Sequence, residues 1–112
     1  MKLSITSQIN TTSGLAVTGA IGNLNANTDK LLTTGTVSCM LQFYASDNAK
    51  AKGMSPIIPV TLKQDGTIDK FINSCVITLT ENEVTGANLP NTIYTKVAEK
   101  LHTDYGWTVA VV

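Results

Sequence analysis

Between Thr36 and Ser46, in the segment TVSCMLQFYAS, every second residue is apolar. Side chains of a β-strand point alternately to its two faces, so this spacing predicts a strand with one buried face. The intervening positions are mixed but uncharged, and we therefore expect the second face to be covered too, by another layer or by a neighbouring subunit. The apolar face consists of Val37, Cys39, Leu41 and Phe43, and the second face of Ser38, Met40, Gln42 and Tyr44.

Two further strand-like segments precede this one. Apolar residues alternate over positions 3–9, and a longer apolar run at 15–24 follows the turn sequence NTTSG. Gly19 and Gly22 interrupt that run, and glycine within a strand pattern indicates a bulge or a close approach of other atoms to the backbone. Their spacing does not match a phosphate-binding loop, so we expect a flexible turn or arm rather than a ligand site.

A hairpin is predicted in the second half of the chain. The pair Asp65–Gly66 is the strongest short turn signal, because both residues tolerate positive φ. The preceding strand, residues 57–63, contains Pro59, which cannot donate a backbone hydrogen bond and therefore predicts an edge strand or a bulge. The return strand covers residues 68–80, with a bend at residues 73–74.

The segment NTIYTKVAEKLHTDYGW, residues 91–107, predicts a long helix. Asn91 or Thr92 can cap its start, and Gly106 suits the left-handed position that ends a helix. On a helical wheel the apolar and aromatic residues fall within an arc of about 140°, as expected of a helix packed on a sheet. This stripe consists of Ile93, Tyr94, Val97, Ala98, Leu101 and Tyr105.

Together these elements predict an α+β fold that is mainly β. We expect an antiparallel sheet or sandwich, one C-terminal amphipathic helix at about 92–105, and a final strand, WTVAVV, at 107–112. A length of 112 residues suits a single domain covering 1–112. The polar, glycine-containing segments 10–35 and 46–56 could form an extended arm or loops.

His102 and Asp104 are the residues that most resemble a reactive pair. On an intact helix their side chains project about 160° apart, because successive residues are rotated by about 100°. Residues that act together on a helix are spaced by three or four positions, so these two would act separately. We therefore predict that His102 lies at the border of the buried stripe and that the pair has no catalytic role.

Both cysteines, Cys39 and Cys75, fall on predicted apolar faces. The first ten residues lack the apolar segment of an export signal, so we expect two buried, reduced thiols in preference to a disulfide. A buried thiol stays protonated and unreactive. Two thiols and one histidine also do not complete the four ligands of a structural zinc site.

The carboxylates offer no better candidates. Glu81 and Glu83 lie in a predicted loop, while Asp65 and Asp69 flank the hairpin turn, and nothing in the sequence selects either pair for acid–base chemistry. We therefore predict no catalytic, cofactor-binding or metal-ligating residue, no cofactor and no small-molecule substrate.

Charge argues against nucleic acid and membrane partners. Eight basic and eight acidic residues balance to a net charge of zero, and the chain contains no Arg. The densest basic stretch holds only Lys50 and Lys52, whereas substantial nucleic-acid affinity needs roughly six to ten phosphate contacts. No segment reaches the roughly 18 apolar residues of a membrane span. Charged residues make up 14% of the chain, against about 25% in typical domains, which lowers repulsion between copies and favours a homo-oligomer.

Four features occur together: a β domain rich in Thr, Asn and Gly, unpaired buried cysteines, the late helix TIYTKVAEKL, and the terminal strand WTVAVV. In these features the chain resembles small virion structural proteins of tailed bacteriophages, of the head-decoration, head–tail connector or tail-ring type. The resemblance implies a non-enzymatic subunit, made in the bacterial cytoplasm and located in the virion. It would form a ring or shell with copies of itself and with other virion proteins. The alternatives are a small phage or bacterial module that binds and inhibits a host protein and, third, an enzyme.

Overall fold

The computed structural model describes all 112 residues, Met1–Val112. The strands form one curled antiparallel sheet in the order β5-β4-β1-β2-β3-β6, with β7 paired to β1. The fold is therefore α+β and mainly β, as predicted, but the strands belong to one sheet rather than to two stacked sheets. The elements are β1 (Leu3–Thr11), β2 (Ala16–Asn27), α1 (Leu31–Thr34), β3 (Thr36–Tyr44), α2 (Asp47–Ala51), β4 (Pro59–Leu62), β5 (Ile68–Phe71), β6 (Ser74–Thr78), α3 (Glu81–Thr85), α4 (Leu89–Tyr105) and β7 (Val109–Val111).

Strand β1 pairs with three other strands. One edge of β1 pairs with β2, while its other edge pairs with β7 near the start and with β4 at the end. Between these two partners lies a bulge, in which Thr6 and Ser7 are opposite the single residue Gly19. Gly19 has a φ of +85°, which residues with a Cβ rarely adopt. The predicted bulge is thus confirmed, and it bends β1 so that its two halves meet different neighbours.

The sheet curls until its ends approach each other. Phe43 on β3 bridges to Ile57, just before β4, and the Ile57 N–H donates to the Phe43 carbonyl at 2.8 Å. Because β4 also pairs with β1, this bridge closes one end of the curl. At the other end α4 packs against both β6 and β7 and covers the opening between them. The concave side of the sheet, which faces α4, is called the inner face below, and the opposite side the outer face.

A cluster of 17 buried residues fills the curl. The predicted apolar faces of β1 and β3 point into it, and so does the predicted stripe of α4, with Tyr94 and Tyr105 partly buried at its border. Trp107 meets Phe43 edge to face, with ring centroids 5.9 Å apart. These inner faces are therefore confirmed. The helix contributes Ile93, Val97, Ala98 and Leu101 to the cluster.

Helix α4 begins earlier than predicted. It spans Leu89–Tyr105 with Asn88 at the N-cap, so the prediction of a cap at Asn91 or Thr92 is wrong. Pro90 lies in the first turn, where its fixed φ suits a helix and its missing N–H would have no partner. Proline therefore belongs to the start of this helix instead of preceding it.

The C-terminal end of α4 follows the prediction. Gly106 has a φ of +72°, and its N–H donates to the His102 carbonyl at 2.8 Å. The final strand is shorter than 107–112, since β7 covers Val109–Val111 and the Trp107 side chain is buried in the core.

The segments expected to form arms or loops are partly regular structure. Most of 10–35 lies in β2, near the middle of the sheet, and in the short helix α1. Within 46–56, α2 is capped by Ser46, whose hydroxyl accepts from the Ala49 N–H at 3.0 Å. The glycines of β2 therefore indicate a bulge and a close contact within a strand, not an arm.

The predicted Asp65–Gly66 turn is confirmed, since the Lys63 N–H donates to the Thr67 carbonyl at 2.8 Å and Gly66 has a φ of +86°. Of the two alternatives predicted from Pro59, the edge strand is wrong, whereas the β4–β5 pair does contain an irregularity, between Thr61 and Leu62. Strand β4 lies between β5 and β1, and Pro59 is its first residue, a position where a missing ladder N–H is tolerated.

The return strand 68–80 is divided at its predicted bend. The Ile72 N–H donates to the Pro59 carbonyl, whereas the next carbonyl, that of Asn73, accepts from the Leu41 N–H, both at 2.9 Å. Backbone pairing thus changes within two residues from β4 to β3. As a result, β5 and β6 lie at opposite ends of the strand order although only two residues separate them.

Gly22 in β2 makes the second predicted close approach. A Cβ built on Gly22 would lie 2.8 Å from Cε1 of Phe43 and 2.9 Å from Cδ1. The Phe43 ring occupies that space because Gly22 and Phe43 are directly paired across β2 and β3. Glycine here lets the largest buried side chain of β3 lie flat against its neighbour.

Replacing Gly22 with Ala should therefore lower the free energy of unfolding by about 1–3 kcal/mol, since the Phe43 ring must move within a packed core. Urea unfolding followed by Trp107 fluorescence measures this change. Asn25→Ala, at an exposed site on the same strand, is the control and should change stability by less than about 0.5 kcal/mol. Equal stability of Gly22→Ala and the original chain would contradict the close packing.

Candidate functional site

His102 and Asp104 bind different partners. The His102 Nδ1–H donates to the Trp107 carbonyl at 2.8 Å, across the end of α4. Asp104 pairs with Lys100 on the preceding turn, at 3.5 Å between Nζ and Oδ2. The structure does not bring the two side chains together, as the helical wheel predicts. The histidine ties the end of the helix to the segment that leads into β7.

The carboxylates of the predicted loops serve local structure. Glu83 forms a capping box with Thr80 at the start of α3 and pairs with Lys96 of α4 at 3.3 Å. These contacts lower the pKa of Glu83, and the hydrogen bond from the Thr80 N–H has the largest effect. Asp65 accepts from the N–H and hydroxyl of Thr67, which lowers the pKa of Asp65. Glu83 and Asp65 therefore have structural roles, at a helix start and at a turn respectively.

No group of three or more His, Cys, Asp and Glu side chains is arranged to hold a metal ion. The two cysteines, however, are directly paired, Cys39 on β3 opposite Cys75 on β6, and both are free thiols on the inner face. A hydrogen bond from Cys75 lowers the pKa of Cys39, and the same bond, followed by burial, raises the pKa of Cys75. Their proximity carries no local sequence signal, because 35 residues separate them.

The outer face of the sheet carries no charged side chain on β1, β2, β3, β6 or β7. Cross-strand partners share a face, so the strand registers assign each outward position. Nothing in the chain covers most of this face, and Met40 at its centre is 65% exposed. The outward residues are Ser4, Thr6, Gln8 and Asn10 of β1; Ala16, Thr18, Ile21, Asn23, Asn25 and Asn27 of β2; Thr36, Ser38, Met40, Gln42 and Tyr44 of β3; Ser74, Val76 and Thr78 of β6; and Ala110 of β7, of which only Ile21 is buried.

A shallow depression of about 310 Å³ lies on this face between β2 and β3. It is lined by amide side chains around Met40, and one of these, Asn23, accepts a hydrogen bond from Lys50 of α2 at 2.8 Å. The Lys50 ammonium also lies 5.8 Å from the centre of the Tyr44 ring. The nearest charge thus stands at the rim and is already engaged. The lining residues are Asn23, Leu24, Asn25, Met40, Leu41 and Gln42.

The β4–β5 hairpin extends this face with apolar side chains. Val60 pairs with Asn10 of β1 and with Phe71 of β5, so all three lie on the outer face. Leu62, two positions after Val60, pairs with Ile68 and continues the row. Phe71 is 58% exposed, and Leu62 and Ile68 are also exposed. We call Leu62, Ile68 and Phe71 the hairpin row.

The hairpin row could not be recognised by simple alternation. Ile68 and Phe71 are three positions apart, which would place them on opposite faces of a regular strand. A register shift between Thr61 and Leu62 brings both onto one face. The uncharged centre of the outer face, in contrast, was evident from the residues between the apolar positions of β3.

No protein-family model matches the chain, and neither a curated protein nor a solved structure is significantly similar to it. None of its helices combines the length and apolarity needed to cross a membrane. The outer face with its hairpin row is therefore defined as the candidate functional site by its geometry alone.

The separate roles of His102 and Asp104 can be measured with a double-mutant cycle. His102→Ala should lower the free energy of unfolding by about 0.5–1.5 kcal/mol, because the bond to the Trp107 carbonyl is lost. Asp104→Ala should lower it by about 0.3–0.5 kcal/mol through the Lys100 pair. In the double variant these losses should add to within about 0.5 kcal/mol. A coupling energy well above that limit would show that the two side chains interact.

Proposed function

We propose that this chain is a non-enzymatic structural subunit that assembles with copies of itself through the outer face and its hairpin row. The observation that carries the proposal is the absence of charge from the outward positions of five paired strands, next to an exposed apolar row. A surface that stays in water usually carries Lys, Glu and Asp. The centres of protein interfaces are depleted in these residues and enriched in aromatic side chains and Met.

The exposed area supports a partner of standard interface size. Monomeric proteins of 11.9 kDa expose about 5,900 Å² according to the scaling of surface with mass. This chain exposes 6764 Å². The excess of about 800 Å² equals the area that each partner contributes to a standard protein interface.

The free edge of the hairpin supports the same proposal. Strand β5 pairs only with β4, and all four of its residues are exposed. A free edge strand can pair with another chain, and Lys70, a residue type that opposes edge pairing, faces away from the hairpin row because it pairs with Thr61. In an assembly, a neighbouring copy would cover both the β5 edge and the hairpin row.

In its specific form, the proposal places the subunit in the particle of a tailed bacteriophage, in a ring or shell with other virion proteins. The support for this placement is the resemblance in sequence to small virion proteins. The sandwich arrangement expected from sequence would then arise between copies, with the outer face of one sheet packed against a neighbour. Such contacts bury neutral side chains, which avoids the desolvation penalty of buried ions.

Sedimentation velocity over a range of concentrations tests the assembly. The unmodified chain should form a defined oligomer, or an assembly that grows with concentration. Met40→Glu and Phe71→Asp each place a charge on the proposed interface and should weaken association at least about tenfold. Leu32→Asp is the control, because Leu32 is 88% exposed on α1, outside the outer face, and its substitution should leave association unchanged.

A chain that stays monomeric at high concentration would contradict the proposal. A stoichiometric complex between that monomer and a host protein would instead support the inhibitor alternative. For the placement in a virion, particles are purified by density gradient from cells that encode the chain. Mass spectrometry should find the chain in fractions that contain capsid or tail proteins, and its absence from every particle fraction would contradict the placement.

A further inference from the structure

The two thiols are placed for bond formation. Cys39 and Cys75 are direct partners in the β3–β6 ladder. The Leu41 N–H donates to the Asn73 carbonyl, and hydrogen-bonded pairs recur at every second residue, so Cys39 and Cys75 are also a hydrogen-bonded pair. In such pairs the Cα atoms are about 5.5 Å apart, within the range of about 4.4–6.8 Å that a disulfide requires. Both side chains point to the inner face, close enough for each thiol to shift the pKa of the other.

The two thiols differ in access. Cys39 belongs to the core cluster and is only 1% exposed, because β2 and β6 flank β3 on both sides. Cys75 is partly exposed, since β6 is the last strand in the order and has no strand beyond it. Lys100 and Asp104 of α4 are the charged groups close to Cys75. A reagent from solution would therefore react with the Cys75 thiol first, and the Cys39 thiol would react only with a sulfur already bound at Cys75.

We propose that Cys39 and Cys75 form a thiol–disulfide exchange site that takes a small-molecule disulfide, such as glutathione disulfide, and converts to an intrachain disulfide between β3 and β6. The proposal is independent of the assembly function.

The exchange proceeds in two balanced steps. In the first, the proton shared by the two sulfurs moves to Cys39, and the Cys75 thiolate attacks one sulfur of glutathione disulfide. The S–S bond of the reagent breaks, one glutathione thiolate leaves, and Cys75 carries a mixed disulfide. In the second, the Cys39 thiolate attacks Sγ of Cys75 and expels the second glutathione. Two cysteine thiols are oxidised, two glutathione sulfurs are reduced, and the two cysteine protons end on the two glutathione thiols.

Ionisation of the pair makes the initial proton transfer necessary, because the thiolate is favoured on Cys39 while only Cys75 is accessible. The hydrogen bond from Cys75 lowers the pKa of Cys39, so one negative charge is stabilised between the two sulfurs. Loss of the second proton would place two negative charges side by side, and the pKa of Cys75 is raised accordingly. The pair therefore acts as one nucleophile, which has a single thiolate at a time.

Native protein is incubated with glutathione disulfide, quenched in acid, and analysed by intact mass and by thiol titration after unfolding. The expected product has lost both thiols and two hydrogen atoms, carries no glutathione, and migrates as a single chain without reductant. Dithiothreitol should restore both thiols. The oxidised form should also melt at a higher temperature, because the bond closes a long loop in the unfolded chain.

Two variants separate the steps. Cys39→Ser should accumulate the mixed disulfide at Cys75, because the resolving thiol is absent. Cys75→Ser should keep its Cys39 thiol free, because Cys39 is buried. In the unmodified chain, two thiols that stay free, a persistent glutathione adduct, or a disulfide between chains would each overturn the proposal. These readings come from the unmodified protein and do not depend on the folding of either variant.

Discussion

The pairing of β1 with three strands is the constraint on which the fold depends. Its bulge at Thr6 and Ser7 lets one strand turn from β7 to β4 along the same edge. The curl of the sheet, its closure at Phe43 and Ile57, and the opening that α4 covers all follow from the bend in β1. A short irregularity thus sets the overall shape.

Curling separates two chemical environments. The inner face collects most of the apolar side chains of the strands, and a single helix covers it. The outer face retains uncharged polar residues and the exposed hairpin row. Within one chain, α4 covers the inner face, and no layer covers most of the outer face. The proposed assembly supplies the second layer from another copy.

Local sequence patterns predict this fold well for helices and strands that bury a single face. The inner face of β3, the stripe of α4 and its end at Gly106 all follow from period and turn chemistry. Long-range features do not follow from local sequence patterns. The change of partner at Ile72 and Asn73 and the pairing of Cys39 with Cys75 depend on how distant strands meet. Half of the candidate site, the uncharged face of β3, was therefore predictable, whereas the hairpin row was hidden by its bulge.

The pairing of β1 with β7 also bears on the order of folding. Leu3 and Val111 are neighbours in the ladder, with 107 residues between them. During synthesis, β2 and β3 can add to β1 early, but this part of the β1 edge stays unpaired until β7 has left the ribosome. Contacts of such sequence separation slow folding, because loop closure precedes any gain from pairing. The nascent sheet therefore presents an open edge on β1 until β7 is available.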